Sequence, residues 1–285
     1  MRFCFYNNRD KPLIEIGKEV IDLIIDAHAH VFPDKIAEKA VQGIGSFYDL
    51  KMNFDGKIST LLDIGAQAGV EKFIVQSVAT TAAQVESINN FIAESIRTYP
   101  EQLIGFATIH PDYEDISGEI DRAEKLGLKG LKLHPDFQRF LIDDEKAMKI
   151  YECAEGRMPL LIHTGDYRYE WSKPERMARV LDRFPNLQVI GAHFGGWSEW
   201  KKLKEIYAGR KIWVDTSSSL YTLSVEEAME LIEFFGEDHV LFGTDYPMWS
   251  AVDEVRYIEK LPLTAEQREK IFHINAERLL GIVND

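Results

Sequence analysis

Two histidines stand two positions apart inside an apolar run, IIDAHAHVF, residues 24–32. Residues at that spacing on a strand share a face and lie roughly 6–7 Å apart along the backbone. Two imidazoles so placed can converge on one divalent ion through bonds of about 2.0–2.1 Å. A cation needs further nitrogen or oxygen ligands from a rigid frame. His163 in LLIHTG and Asp245 in FGTDYP, each closing a later apolar run, can complete the set. His193 in QVIGAHFGG stands in the run after His163, as a further ligand or a proton donor to substrate.

The elements that must position these groups follow from the apolar pattern. Eight short runs rich in Ile, Val, Leu and Phe recur: LIIDAHAHVF, FIVQSVAT, LIGFATIH, LKGLKLHP, LLIHTG, QVIGAHFGG, IWVDTSS and VLFGTDYP. Near-continuous apolar strands belong to a parallel sheet covered on both faces. Between them lie segments with apolar residues three and four apart, among them ISTLLDIGAQAGV, VESINNFIAESIRTYP, PERMARVLDRFP and EWKKLKEIYAG. Eight strand–helix units predict a (β/α)8 barrel over one domain, residues 1–285, with a doubly wound open sheet as competitor. No G-x-G-x-x-G follows the first strand, which weakens the dinucleotide-binding form of that competitor. In a closed barrel the eighth strand neighbours the first, so Asp245 falls beside His28 and His30, and His163 faces them across the lumen. Residues 1–22 form an extension with a candidate hairpin, RFCFY and LIEIG around NNRDKP. Residues 33–57 read as a long insertion over the active-site face.

Composition narrows the function classes. A formal charge of -14 argues against nucleic acid or an anionic membrane as partner and says nothing positive about substrate; a small-molecule substrate is what the motifs imply. The two cysteines, Cys4 and Cys153, lack metal-type spacing and predict reduced thiols in the cytoplasm. The charged N-terminus excludes a signal peptide or anchor.

Six of the eight histidines cluster at the C-terminal ends of proposed strands. Of the rest, His239 precedes the eighth strand and His273 lies in the last helix; both read as structural, as does His110 before Pro111. Lys132 and His134 share a face of the fourth strand. Lys132 has three readings: a substrate carboxylate's partner, a carboxylated bridge between two metals, or a lysine satisfied by a barrel carboxylate such as Asp215. The loop GDYRYEWSKP gathers Tyr167, Arg168, Tyr169 and Trp171 behind His163. Arg168 and Trp171 suit a carboxylate-bearing, cyclic substrate, or else anchor a solvated loop. Trp197 and Trp249 either wall a pocket or pack on neighbouring loops.

D-A-H-A-H, H-T-G, G-A-H-F-G-G and F-G-T-D-Y-P, in this order, resemble the amidohydrolase superfamily and more narrowly its amidohydrolase 2 branch, which includes the aminocarboxymuconate semialdehyde decarboxylase group. The resemblance runs from about residue 24 to INAERLLG. It implies a TIM barrel with His28, His30, His163 and Asp245 as ligands of one metal ion, zinc first and manganese as the alternative. Asp245 and His193 are the implied catalytic groups, Asp245 moving a water's proton and His193 steadying an oxyanion. Hydrolysis of a lactone, ester or amide of a small organic acid is the leading expectation, because H-T-G is similar to hydrolase members. Non-oxidative decarboxylation is the alternative, and a non-catalytic metal- or ligand-binding barrel the third. Proteins resembling this chain are commonly homodimers.

Overall fold

The protein is described by a computed structural model covering residues 15–16, 19–20 and 23–282. The expected strand RFCFY and Cys4 lie outside those residues. The antiparallel pairing that is described there joins Glu15–Ile16 to Glu19–Val20.

All eight expected runs form strands of one parallel sheet in sequential order. They are β1 (Ile25–His30), β2 (Lys72–Gln76), β3 (Leu103–Thr108), β4 (Gly130–Leu133), β5 (Leu160–Ile162), β6 (Val189–Gly191), β7 (Trp213–Asp215) and β8 (Val240–Leu241). The seam between β1 and the end of β8 is closed by Ala27 N–H to the Phe242 carbonyl at 2.8 Å, Asp245 N–H to His28 at 2.8 Å and His30 N–H to Tyr246 at 2.7 Å. The chain is therefore a (β/α)8 barrel, as its alternation predicts.

Its apolar side chains divide by strand parity. Ile25, Ile74, Phe106, Leu161, Ile190 and Leu241 form one cluster, with Ala276 and Leu279 of the last helix packed against it. The opposite parity, including Phe73, Val75, Leu131, Leu160, Val189 and Val214, packs in the larger layer beneath the helices. One strand breaks the rule. Asp26 pairs with Phe73 but Ala29 pairs with Val75, so β1 carries a bulge between them. Ile25 and Ala27 join the inner cluster, whereas Ala29 and Val31 join the outer one. Bulges re-aim side chains, and this one turns both His28 and His30 inward.

The segment 33–57 is not simply a loop: Asp34–Tyr48 is a 15-residue helix, α1. Ala37, Val41 and Gly45 recur every four residues on its buried face, and Asp34 sits in the first turn, where the helix dipole favours negative charge. Gly43 and Gly45 mask that periodicity in the sequence. Gly45 is required by packing, since a Cβ there would lie 2.7 Å from the Leu50 carbonyl oxygen as the chain turns back. EWKKLKEIYAG forms less helix than expected, a 3-10 turn at Trp200–Lys202 followed by Leu203–Ile206. Cys153 is a buried free thiol. Among the described residues no helix is long and apolar enough to cross a membrane.

Candidate metal centre

The ends of β1 and β8 meet because their motif residues bind each other. Asp26, buried under the barrel mouth, accepts the Thr244 hydroxyl at 2.6 Å and the Thr244 N–H at 3.0 Å. That pairing sets Asp245 beside the two histidines. His28 Nε2 lies 3.2 Å from His30 Nε2, and Asp245 Oδ1 lies 3.4 Å from the first and 3.5 Å from the second. Bonds of about 2.1 Å at tetrahedral angles hold ligand atoms roughly 3.4 Å apart, so the three separations fit one small divalent ion. All three side chains are buried, with His30 and Asp245 the least so at 8% and 7% exposure.

Two further candidates, His163 and His193, reach the same pocket from just beyond β5 and β6. Gly165, in the left-handed region at φ +82°, lets the two following loops touch: a Cβ there would lie 2.4 Å from the Trp197 nitrogen. Trp197 N–H donates to the Thr164 carbonyl at 2.8 Å, and His163 Nδ1 comes within 3.0 Å of His193 Nε2. His163 Nε2 faces Asp136 Oδ2 at 3.4 Å. The geometry thus groups His28, His30 and Asp245 tightly and places His163 and His193 as a pair on the same pocket. His193 and Asp245 both hold left-handed backbone, φ 60° and 59°, a costly conformation that concentrates at working sites.

Carboxylates outside this trio set the imidazole tautomers. Asp215 Oδ2 accepts His28 Nδ1–H at 2.9 Å, which leaves Nε2 as an acceptor turned to the pocket. Lys132 Nζ donates to that Nε2 at 2.8 Å, so Lys132 sits among the candidate ligand atoms. Asp215 also accepts the His193 and Ser217 N–H groups at 3.0 and 3.1 Å, and His193 Nδ1 lies 2.9 Å from Ser217 Oγ. Burial drives the His28, His30 and His163 pKa values down, which favours the neutral form that ligates metals. Burial also lowers His193 to about 3 and Lys132 to about 8, the latter opposed by Asp245 and Asp215. Asp245 is pushed up to about 7 by burial, against the Ser218 hydrogen bond and the Lys132 charge. Ser218 Oγ donates to Asp245 Oδ2 at 2.5 Å and accepts Trp249 Nε1–H at 2.8 Å. Trp249 is therefore tied to Asp245 through Ser218.

Arg168 and Trp171 sit differently from the other candidates. The Arg168 guanidinium grips the Asp166 carboxylate through Nε and Nη2, at 2.9 and 2.7 Å, and donates from Nη1 to the Phe47 carbonyl at 2.9 Å. The rings of Phe47, Tyr48, Tyr169 and Trp197 surround it at 5.1–5.8 Å. Trp171 stacks on Tyr169 and does not line the histidine pocket. Sequence reasoning missed Tyr48, whose hydroxyl lies 3.0 Å from His134 Nε2. His134 itself stacks between Phe137, at 3.9 Å, and His163, at 4.1 Å. The aromatics of the segment 33–57, and the strand parity of His134 with Lys132, are the signals in the sequence. His110, His239 and His273 lie outside the pocket.

Fold and side-chain cluster together define a metal-dependent enzyme on a (β/α)8 barrel with its site at the strands' C-terminal mouth. More narrowly, the chain belongs to the amidohydrolase 2 family, an amidohydrolase family whose profile matches residues 25–282. Similar solved structures include an uncharacterised TIM-barrel protein from Bordetella bronchiseptica, at TM-score 0.75 and 21% identity over 91% of this chain and 98% of that one. A putative amidohydrolase from Staphylococcus aureus matches at TM-score 0.71 and 19% identity over 90% and 99%. The 5-carboxyvanillate decarboxylase of Novosphingobium aromaticivorans, complexed with manganese and 4-hydroxy-3-methoxy-5-nitrobenzoic acid, matches at TM-score 0.73 and 18% identity over 91% and 96%.

Proposed function

We propose that this protein is a metal-dependent, non-oxidative decarboxylase of a small aromatic or unsaturated carboxylic acid. The observation that carries the reading is the buried grouping of Asp245 with His28 and His30 at a spacing that suits one divalent ion, with the Lys132 amine beside them. The similar decarboxylase with manganese and a hydroxylated nitrobenzoic acid supports it.

His28, His30 and Asp245 would hold the ion, with His163 as the expected fourth ligand. Manganese or zinc there would supply a Lewis acid for the substrate's oxygens. Lys132 offers its positive charge to the carboxylate. Ile44, Tyr48, Phe137, Pro247 and Met248 wall the pocket with largely apolar surface and strip water from that carboxylate, which favours loss of carbon dioxide. The C–C bond breaks, its electron pair stays on the substrate carbon, and a proton that Asp245 passes on from solvent replaces the departing group. Ser218 and Trp249 fix the orientation of the Asp245 carboxyl. His193, neutral and donating its Nδ1–H to Ser217, offers Nε2 as an acceptor to a substrate hydroxyl.

Hydrolysis is the second reading. The pocket's free volume of about 20 Å³ accommodates one water beside the ligand trio, and the H-T-G sequence after β5 is retained. The two are separated by incubating manganese- and zinc-loaded protein with 2,6-dihydroxybenzoate, 5-carboxyvanillate and a panel of lactones and esters. Carbon dioxide release, with deuterium from heavy water at the vacated carbon, is the expected result. A metal-loaded protein that opens lactones and releases no carbon dioxide from any acid overturns it.

A further inference from the structure

Beside the metal pocket lies a larger cavity of about 750 Å³, between α1 and the segment that follows β2. Phe32, Ile36, Ile44, Phe47, Ile88 and Phe91 supply much of its apolar wall. Among the described residues, Asp136 and Arg139 are the only carboxylate and guanidinium on that lining. The two spaces are neighbours: His30, Ile44 and Phe137 border both. The metal pocket alone, at about 20 Å³, is too small for any organic acid, whereas the side cavity has the size of a ligand site.

We infer that this cavity is the substrate's second subsite, and that the enzyme acts on acids carrying a hydrophobic substituent larger than a single ring. The acid end reaches the ligand trio past His30, between Ile44 and Phe137, and the apolar body fills the space beneath α1. The inference rests on the metal-dependent reading for the position of the acid end, while the apolar subsite stands on its own lining. Gly43 is part of that lining, and a Cβ placed there meets nothing within 4 Å, so this helix position leaves the cavity open.

Calorimetric titration of manganese-loaded protein with benzoate and its 4-methyl, 4-butyl and 4-hexyl derivatives tests the inference. Affinity should rise roughly fourfold per added methylene, the value for full transfer of a CH₂ from water, until the cavity is filled. Gly43→Trp, and Thr80→Trp on the opposite wall, should flatten the series from benzoate to its hexyl derivative while manganese binds as in wild type. Two variants on different elements guard against one failing to fold. A flat series in manganese-bound wild type, as when another part of the chain or a second copy occupies the cavity, overturns the inference; so does an unchanged slope in both folded variants. Should the protein bind no manganese, the metal-dependent reading falls by itself, and the slope measured without metal still decides the subsite.

Discussion

Asp215 decides which nitrogen of His28 faces the pocket, although it is not itself in the ligand trio. Replacing the carboxylate by an amide, Asp215→Asn, keeps the shape and removes the charge that holds Nδ1–H in place. Manganese affinity should drop about 10–100-fold, read by competition with a chelator; an unchanged affinity refutes the orienting role. His193→Ala should abolish most turnover and leave the bound metal, whereas Asp245→Ala should lose both, and a fully active His193 variant removes its catalytic assignment. Arg168 poses the opposite question. Its donors are engaged by Asp166 and Phe47, so Arg168→Ala strands a fully buried carboxylate and should cost roughly 3 kcal/mol in denaturant unfolding. Unchanged stability with weakened substrate binding would restore the substrate-recognition role that its sequence neighbourhood suggests.

At the level of elements, α1 is the part whose sequence is least like its structure. Its two interior glycines look alike in the chain and differ in their surroundings. At Gly43 an added methyl meets open space, so Gly43→Ala should stabilise by about 1 kcal/mol through helix propensity alone. At Gly45 the same methyl meets the Leu50 carbonyl and the Met52 side chain, so Gly45→Ala should destabilise. Thermal melts of both variants give the signs, and equal shifts would mean that α1 does not pack as described. The helix was readable from Ala37, Val41 and Gly45, but a pattern carried on small residues is weak against two glycines.

Across the whole molecule the seam of the barrel gathers buried acid. Glu254, fully buried in the helix Ala251–Lys260, is held well above the ordinary glutamate range by burial first and then by the charges of Asp26, Asp245, Asp253 and Asp215. Above pH 4.5 the unfolded chain has released this proton while the folded chain keeps it, so stability falls as pH rises toward the folded value. Glu254→Gln, nearly the same shape and unable to ionise, should be more stabilising relative to wild type at pH 8 than at pH 5. Denaturant unfolding at the two values measures it, and parallel pH profiles would show that Glu254 is not buried in an acidic setting.

The eight strands, their order and the likeness of the motifs to one family were legible in the chain, because a strand covered on both faces advertises itself by uninterrupted apolar residues. So was the proximity of Asp245 to His28 and His30, which closure of any eight-stranded barrel imposes. The inward aim of those histidines was not, since parity counted from Ile25 and Ala27 turns them outward and only the bulge against β2 reverses it. Nor was much of the company they keep: Asp215 and Trp249 are among the residues the sequence offers, but Ser217 and Ser218 beside Asp215, and Tyr48 from α1, reach the pocket from stretches far from the histidines in sequence. Contacts between separate loops depend on how the sheet closes and how α1 lies across it, and local periodicity carries no record of either.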